Sequence, residues 1–221
     1  MKNSKTQRAI NILSFISACL AIYFDYAADK ILFSVFKPLT TILILSLLFF
    51  VQSGTLSKYR SLIIVALVFC LLGDIFLLKD SYFVFGLGSF LIGHLLFASA
   101  FIKLEGFHFH WVSLLIFLAI GGGILFWLRP DLGDFELPVT IYVIVIIFMA
   151  WQGLGLFLRQ KQRAYLLIAL AVLLFMFSDT MIAINKFKSP FNLSGLVILS
   201  TYWMSIALIS NASYLILGKK S

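Results

Sequence analysis

The chain has 221 residues, 62% hydrophobic and only 12% charged, with a formal net charge of +8 at pH 7. A soluble domain usually carries about 25% charged residues, so this chain cannot cover a globular surface in water, and its composition points to a polytopic membrane protein. The positive balance calls for no nucleic acid, because Lys and Arg gather in connections where they set topology. Cys19 and Cys70 lie in apolar runs with neither disulfide nor zinc spacing.

Lys2, Lys5 and Arg8 precede the first apolar run as in a signal peptide, and "ISAC" (16–19) resembles a lipoprotein cleavage box. The run continues past Cys19 as "LAIYF", a poor start for a soluble protein, so a first membrane helix is expected. Crossing the hydrocarbon takes about 20 residues. The apolar runs give eight helices, at 9–24, 31–51, 61–79, 82–102, 111–128, 136–157, 164–184 and 194–217. Helices are the default because backbone groups in lipid must be paired within the segment. The fold class expected is therefore all-α, a bundle of eight transmembrane helices forming one transmembrane domain over 1–221. Short connections make neighbouring helices antiparallel.

The connections differ by side. The N-terminus, loops 2, 4 and 6 and the C-terminus hold eleven Lys or Arg, among them Lys58, Arg60, Arg159, Lys161, Arg163, Lys219 and Lys220. The other side holds five: Lys30, Lys79, Arg129, Lys186 and Lys188. This bias puts both termini in the cytoplasm, and a bacterial inner membrane is the expected location.

Lys37, Asp74 and Asp179 fall inside apolar runs, "FKPLT" (36–40), "LLGDIFLL" (71–78) and "FMFSDTMIAI" (175–184). A central Asp or Lys costs about 2.5–3.5 kcal/mol to insert, which makes each a candidate for function. Asp74 lies fourteen residues after Arg60 and Asp179 sixteen after Arg163, about 21 and 24 Å from the inner ends at 1.5 Å per residue. Lys37 follows Lys30 by seven residues on an inward-running helix, about 10 Å from the outer end. All three share a layer in the outer half of the membrane, and Tyr142 and Tyr202 reach a similar level. Asp179 follows Asp74 by 105 residues and Tyr142 follows Lys37 by 105, the pattern of two four-helix halves with a site between them.

An ion pair of Lys37 with one aspartate would only join helices, and it leaves the second acid without a partner. Two carboxylates approaching across helices 3 and 7 suit acid/base work, one protonated and one ionised. His94 lies deeper, in "FLIGHLLFASAF" (90–101), as either a helix-to-helix hydrogen bond or a substrate contact. His108 and His110 fall on the opposite side, which argues against a zinc site. Gly86, Gly88 and Gly93 are expected to permit close helix packing, and Pro38 to kink helix 2 beside the lysine. The same intramembrane acids also suit a proton- or ion-coupled transporter. Pro is absent from helices 3, 4, 7 and 8, which favours a fixed pocket.

The segments "FKPLT", "LLGDIFLL", "GSFLIGHLLFASAF" (88–101), "FSDTMIAINKF" (177–187) and "TYW" (201–203) occur in that order. Together they resemble the lysoplasmalogenase-like (YhhN) family of integral membrane proteins, with Lys186 where many members carry Arg. The resemblance implies a membrane-embedded ether hydrolase. It would cleave the vinyl ether bond of lysoplasmalogens to a fatty aldehyde and a glycerophospho-alcohol, with Asp74 and Asp179 as the catalytic pair. The partner implied is a lysophospholipid substrate in the bilayer; no metal or other cofactor is called for. Lys37, His94, Tyr142 and Tyr202 are the substrate-binding candidates.

Overall fold

Apolar runs become helices throughout the computed structural model, which describes residues 2–51 and 54–219, with side chains from 5 to 51 and 54 to 218. Eight α-helices follow in order: α1 (Lys2–Tyr26), α2 (Lys30–Ser46), α3 (Ser57–Phe76), α4 (Phe83–Glu105), α5 (Trp111–Leu132), α6 (Glu136–Arg159), α7 (Arg163–Ala183) and α8 (Ser194–Lys219). No strand occurs among the described residues. Lys220, counted above for orientation, lies outside them, as do the side chains of Lys2 and Lys219. Among the described residues, seven helical stretches are long and apolar enough to cross a membrane. One of them, Trp111–Arg159, has 49 residues, about 74 Å at 1.5 Å per residue and more than twice the hydrocarbon thickness. Gly133, at φ +51, breaks it into α5 and α6. These pack as an antiparallel hairpin in which Gly121 lies directly against Ile147. The protein is thus an all-helical, multi-pass membrane protein.

Local chemistry fixes several ends. Asp29 caps α2 by accepting hydrogen bonds from the Ile31 and Leu32 amides at 3.1 and 3.0 Å, satisfying donors that a helix start leaves free. α2 runs through Pro38 as one helix and tightens into a 3₁₀ turn at Leu47–Phe50. α7 ends in a π-helical turn at Ile184–Lys188, one turn beyond Asp179. Such wide turns are uncommon and recur at functional sites.

α1 and α5 turn apolar faces outward, with Phe15 70% and Phe126 79% exposed, as lipid-facing helices should. The interior is fully buried: Phe97, Phe101, Ile168 and Phe175 are 0% exposed. Small residues let α3 and α4 approach. A methyl group on Gly73 would meet the Phe90 ring at 2.5 Å, and one on Gly93 would meet the Ala66 carbonyl at 3.3 Å. Gly86 packs on Leu77, whereas Gly88 has nothing within 4 Å. The expectation for Gly88 fails because two residues turn a helix by about 200°, which puts it on the face opposite Gly86. Hydroxyls stitch the centre: Tyr59 on α3 bonds Ser213 on α8 at 2.7 Å, and Ser178 on α7 donates to the Ile198 carbonyl on α8 at 3.0 Å.

Candidate functional site

Six helices bring polar side chains together at one end of the bundle. Asp74 stands near the C-terminus of α3, is 1% exposed, and is enclosed by α2 and α8. Its Oδ2 accepts from the Thr41 hydroxyl at 2.5 Å and from the Tyr202 hydroxyl at 3.0 Å. The Trp203 indole donates to the Thr41 oxygen at 3.3 Å, holding that hydroxyl in place. Thr41 lies one helical turn after Lys37, so both face the bundle interior. Lys37 is 6% exposed and lies within electrostatic reach of Asp74 and Asp25. Its Nζ sits 5.5 Å from the centre of the Phe33 ring.

Asp179 belongs to a second group, built by α4, α6 and α7. The Tyr142 hydroxyl donates to its Oδ2 at 2.5 Å, and Nε2 of His94 lies 3.6 Å from the same oxygen, too far for a good hydrogen bond. His94 is 0% exposed and, among the described residues, neither ring nitrogen has a hydrogen-bond partner. Its ring packs edge-on against Phe175 at 4.5 Å and Tyr142 at 5.3 Å between centroids. Phe175 also meets Tyr202 at 5.5 Å, so an aromatic bridge joins the two groups. Among the described residues, no side chain bonds both carboxylates; each has its own donors. All six residues singled out from the sequence lie in these two groups. Thr41, Trp203 and Phe175 complete them.

Two cavities reach this region. The first is almost wholly apolar, runs between α4, α5, α6 and α7, and carries Asp179, Tyr142 and Thr180 on its wall. The second, about 290 Å³, is lined by Lys37 from within α2 and by charged residues near helix ends, Asp25, Lys79, Asp80 and Lys186. Leu77, Phe83 and Ile182 line both, so the cavities adjoin across these three side chains. Asp74 lines neither. Chemically, the arrangement offers a carboxyl group at the wall of an apolar cavity, a second, buried carboxylate that lines neither cavity, and a cation facing a polar chamber. Among the described residues no cluster of His, Cys, Asp or Glu fits a metal ion. On the opposite face, Gln152 bonds the backbone of His108 at 3.1 and 3.0 Å, and burial with the nearby Arg159 holds the His108 imidazole below its usual range.

No solved structure matches the chain. Among curated proteins, the chain is 36% identical over 155 residues to lysoplasmalogenase TMEM86A of Bos taurus and 36% over 154 residues to that of Homo sapiens. Each alignment takes in 67% of this chain and 63% of the relative, so the chain spans less than two thirds of their length. It is 26% identical over 208 residues to the membrane protein YhhN of Shigella flexneri, covering 91% of this chain and 99% of that one. The YhhN family model matches residues 32–213, a stretch that holds Lys37, Thr41, Asp74, His94, Tyr142, Asp179 and Tyr202. With most of its length and every residue of both polar groups inside that match, this chain belongs to the YhhN family.

Proposed function

We propose that the protein is a membrane-embedded hydrolase that cleaves the vinyl ether bond of lysoplasmalogens to a fatty aldehyde and a glycerophospho-alcohol. The observation that carries this reading is the position of Asp179. Its carboxyl group stands on the wall of an apolar cavity that adjoins a charged one, where the junction between a lipid chain and its head group would rest. The mammalian relatives named lysoplasmalogenase support it.

The reaction needs a proton on the vinyl carbon beta to oxygen, which turns the ether into an oxocarbenium ion. Water then adds to the cationic carbon, and the hemiacetal collapses to aldehyde and alcohol. Water supplies the oxygen of the aldehyde, and the proton it sheds restores the acid. Asp179 is the general acid in this reading: Tyr142 engages Oδ2, leaving Oδ1 to deliver the proton. Asp74, held by Thr41 and Tyr202, supplies negative charge that favours the cation from behind the wall, in a low-dielectric interior where such charge acts strongly. Lys37 balances it. In this reading His94, beside Asp179 with both nitrogens unbonded among the described residues, holds the attacking water. The reading includes one transmembrane domain over 1–221, with both termini in the cytoplasm of a bacterial inner membrane, supported by the charge bias between the two faces.

The test is aldehyde release by purified protein in nanodiscs, without any gradient, from matched vinyl-ether and ester lysolipids. Release from the vinyl ethers alone is expected. No release, together with proton-coupled flux in sealed vesicles, overturns the hydrolase in favour of a carrier.

A further inference from the structure

The charged cavity of about 290 Å³ draws its walls from five places in the chain: Asp25 at the end of α1, Lys37 on α2, Lys79 and Asp80 in the α3–α4 turn, Asn185 and Lys186 in the π turn after α7, and Ser194 and Gly195 at the start of α8. Its three lysines outnumber its two acids. Lys186 is paired with Asp80 at 3.0 Å. Lys37 has no carboxylate within 4.0 Å among the described residues, although it is only 6% exposed. The nearby Asp74 oxygen is already engaged by two hydroxyls. A buried ammonium without a hydrogen-bonded anion is costly, and the chamber it faces is large enough to admit one. The aromatic residues lining that chamber, Phe33 and Phe83, already carry Lys37 and Lys186 on their faces at 5.5 and 5.2 Å, so a quaternary ammonium meets no free cage here. The chamber also adjoins the apolar cavity through Leu77, Phe83 and Ile182, which calls for an anion attached to an apolar chain.

We propose that this chamber is a phosphate site, in which Lys37, Lys79 and Lys186 hold the phosphate ester of a single-chain lipid head group. The inference rests on the lipid-hydrolase reading and deepens it by assigning its head-group contacts. The lysines read the phosphate, and the group beyond the phosphate contributes little.

Equilibrium binding in neutral nanodiscs tests this without turnover, using a labelled saturated 1-O-alkyl lysophospholipid and the matching 1-O-alkylglycerol, which lacks phosphate. The phosphorylated probe should bind about 10–100-fold tighter, the range of charge-assisted hydrogen bonds. Lys37→Met, Lys79→Met and Lys186→Met should each shrink that ratio, and Lys186→Arg should restore most of it. The two surface-facing substitutions keep the test alive if Lys37→Met does not fold. Equal binding of the two probes, or a ratio indifferent to all three lysines, overturns the site. Displacement of the lipid probe by millimolar inorganic phosphate assigns the chamber to free phosphate and overturns the lipid head group; absence of displacement supports it. Lysine-dependent binding without aldehyde release sinks the hydrolase and leaves this site standing. Aldehyde release with lysine-independent binding does the reverse.

Discussion

On the proposed mechanism, replacing Asp179 by asparagine removes the acid and little else. The amide oxygen still accepts the Tyr142 hydroxyl, now at 2.5 Å from the carboxylate, and the side chain, 11% exposed, keeps its volume. Stability should therefore move by no more than about 1 kcal/mol, the worth of one altered hydrogen bond. Turnover should fall by about 10²–10⁴-fold, the usual contribution of a positioned general acid. At about 1.4 kcal/mol per tenfold, that is roughly 3–6 kcal/mol of transition-state stabilisation. The loss should appear in kcat, because a proton delivered only in the transition state leaves ground-state binding alone. The assay is aldehyde release at saturating lysoplasmalogen, beside thermal unfolding in the same nanodiscs. A folded Asp179→Asn protein with undiminished turnover refutes the assignment, and so does a loss confined to KM.

Other substitutions follow from the same geometry. Asp74→Asn strips the buried Lys37 of a neighbouring negative charge, so it should destabilise the protein by up to about 3 kcal/mol. Lys37→Met/Asp74→Asn should regain that stability without regaining turnover, as thermal melts and aldehyde release would report. Gly73→Ala drives a methyl group to 2.5 Å from the Phe90 ring and should cost about 1–3 kcal/mol by overpacking. Gly88→Ala, with nothing within 4 Å, should leave the melting temperature unchanged or slightly raised. Tyr202→Phe leaves Asp74 with Thr41 as its remaining hydroxyl donor and should lower stability by about 1–3 kcal/mol, seen as an earlier melt. Single cysteines at Ser57 and Asp134, in a Cys19→Ser background, should label from opposite faces of intact cells; labelling from one face refutes the orientation.

The helices were legible because lipid allows little else. The expected 136–157 became Glu136–Arg159, and 164–184 became Arg163–Ala183. The expected end of helix 5 at 128 came too early. Arg129, Pro130 and Asp131 look like a turn in sequence, yet α5 carries them to Leu132 because the chain reverses only where Gly133 takes a positive φ. Asp74 and Asp179 stood out because a carboxylate in an apolar run is expensive, and the two tyrosines because depth could be counted along each helix. Thr41 escaped notice, since threonine is ordinary in membrane helices; its signal was its place one turn after Lys37. The charged chamber was illegible for a different reason. Lys79 and Lys186 read as charges in the connections, Asp25 and Asp80 carry no pattern of their own, and only the packing of the helices gathers them. The separate donor sets of the two aspartates were equally hidden, because spacing along helices gives depth but not the direction a side chain faces.

The shared wall of Leu77, Phe83 and Ile182 has a consequence for selectivity. A molecule with one oily end and one ionic end has a single comfortable register across that wall, set by its own partition between the two chambers. On the proposed function, the protein works as a ruler whose zero is the boundary, with Asp179 as a mark on it. It has no need to recognise the vinyl ether as such. On that reading, a lysolipid ester would settle in the same register and survive because it has no carbon–carbon double bond beside the ether oxygen to protonate. Lengthening the hydrocarbon at its far end changes little, since the zero does not move. Shifting the double bond two carbons away from the oxygen takes the reactive carbon off the mark, and it also removes the oxygen lone pair that would stabilise the cation.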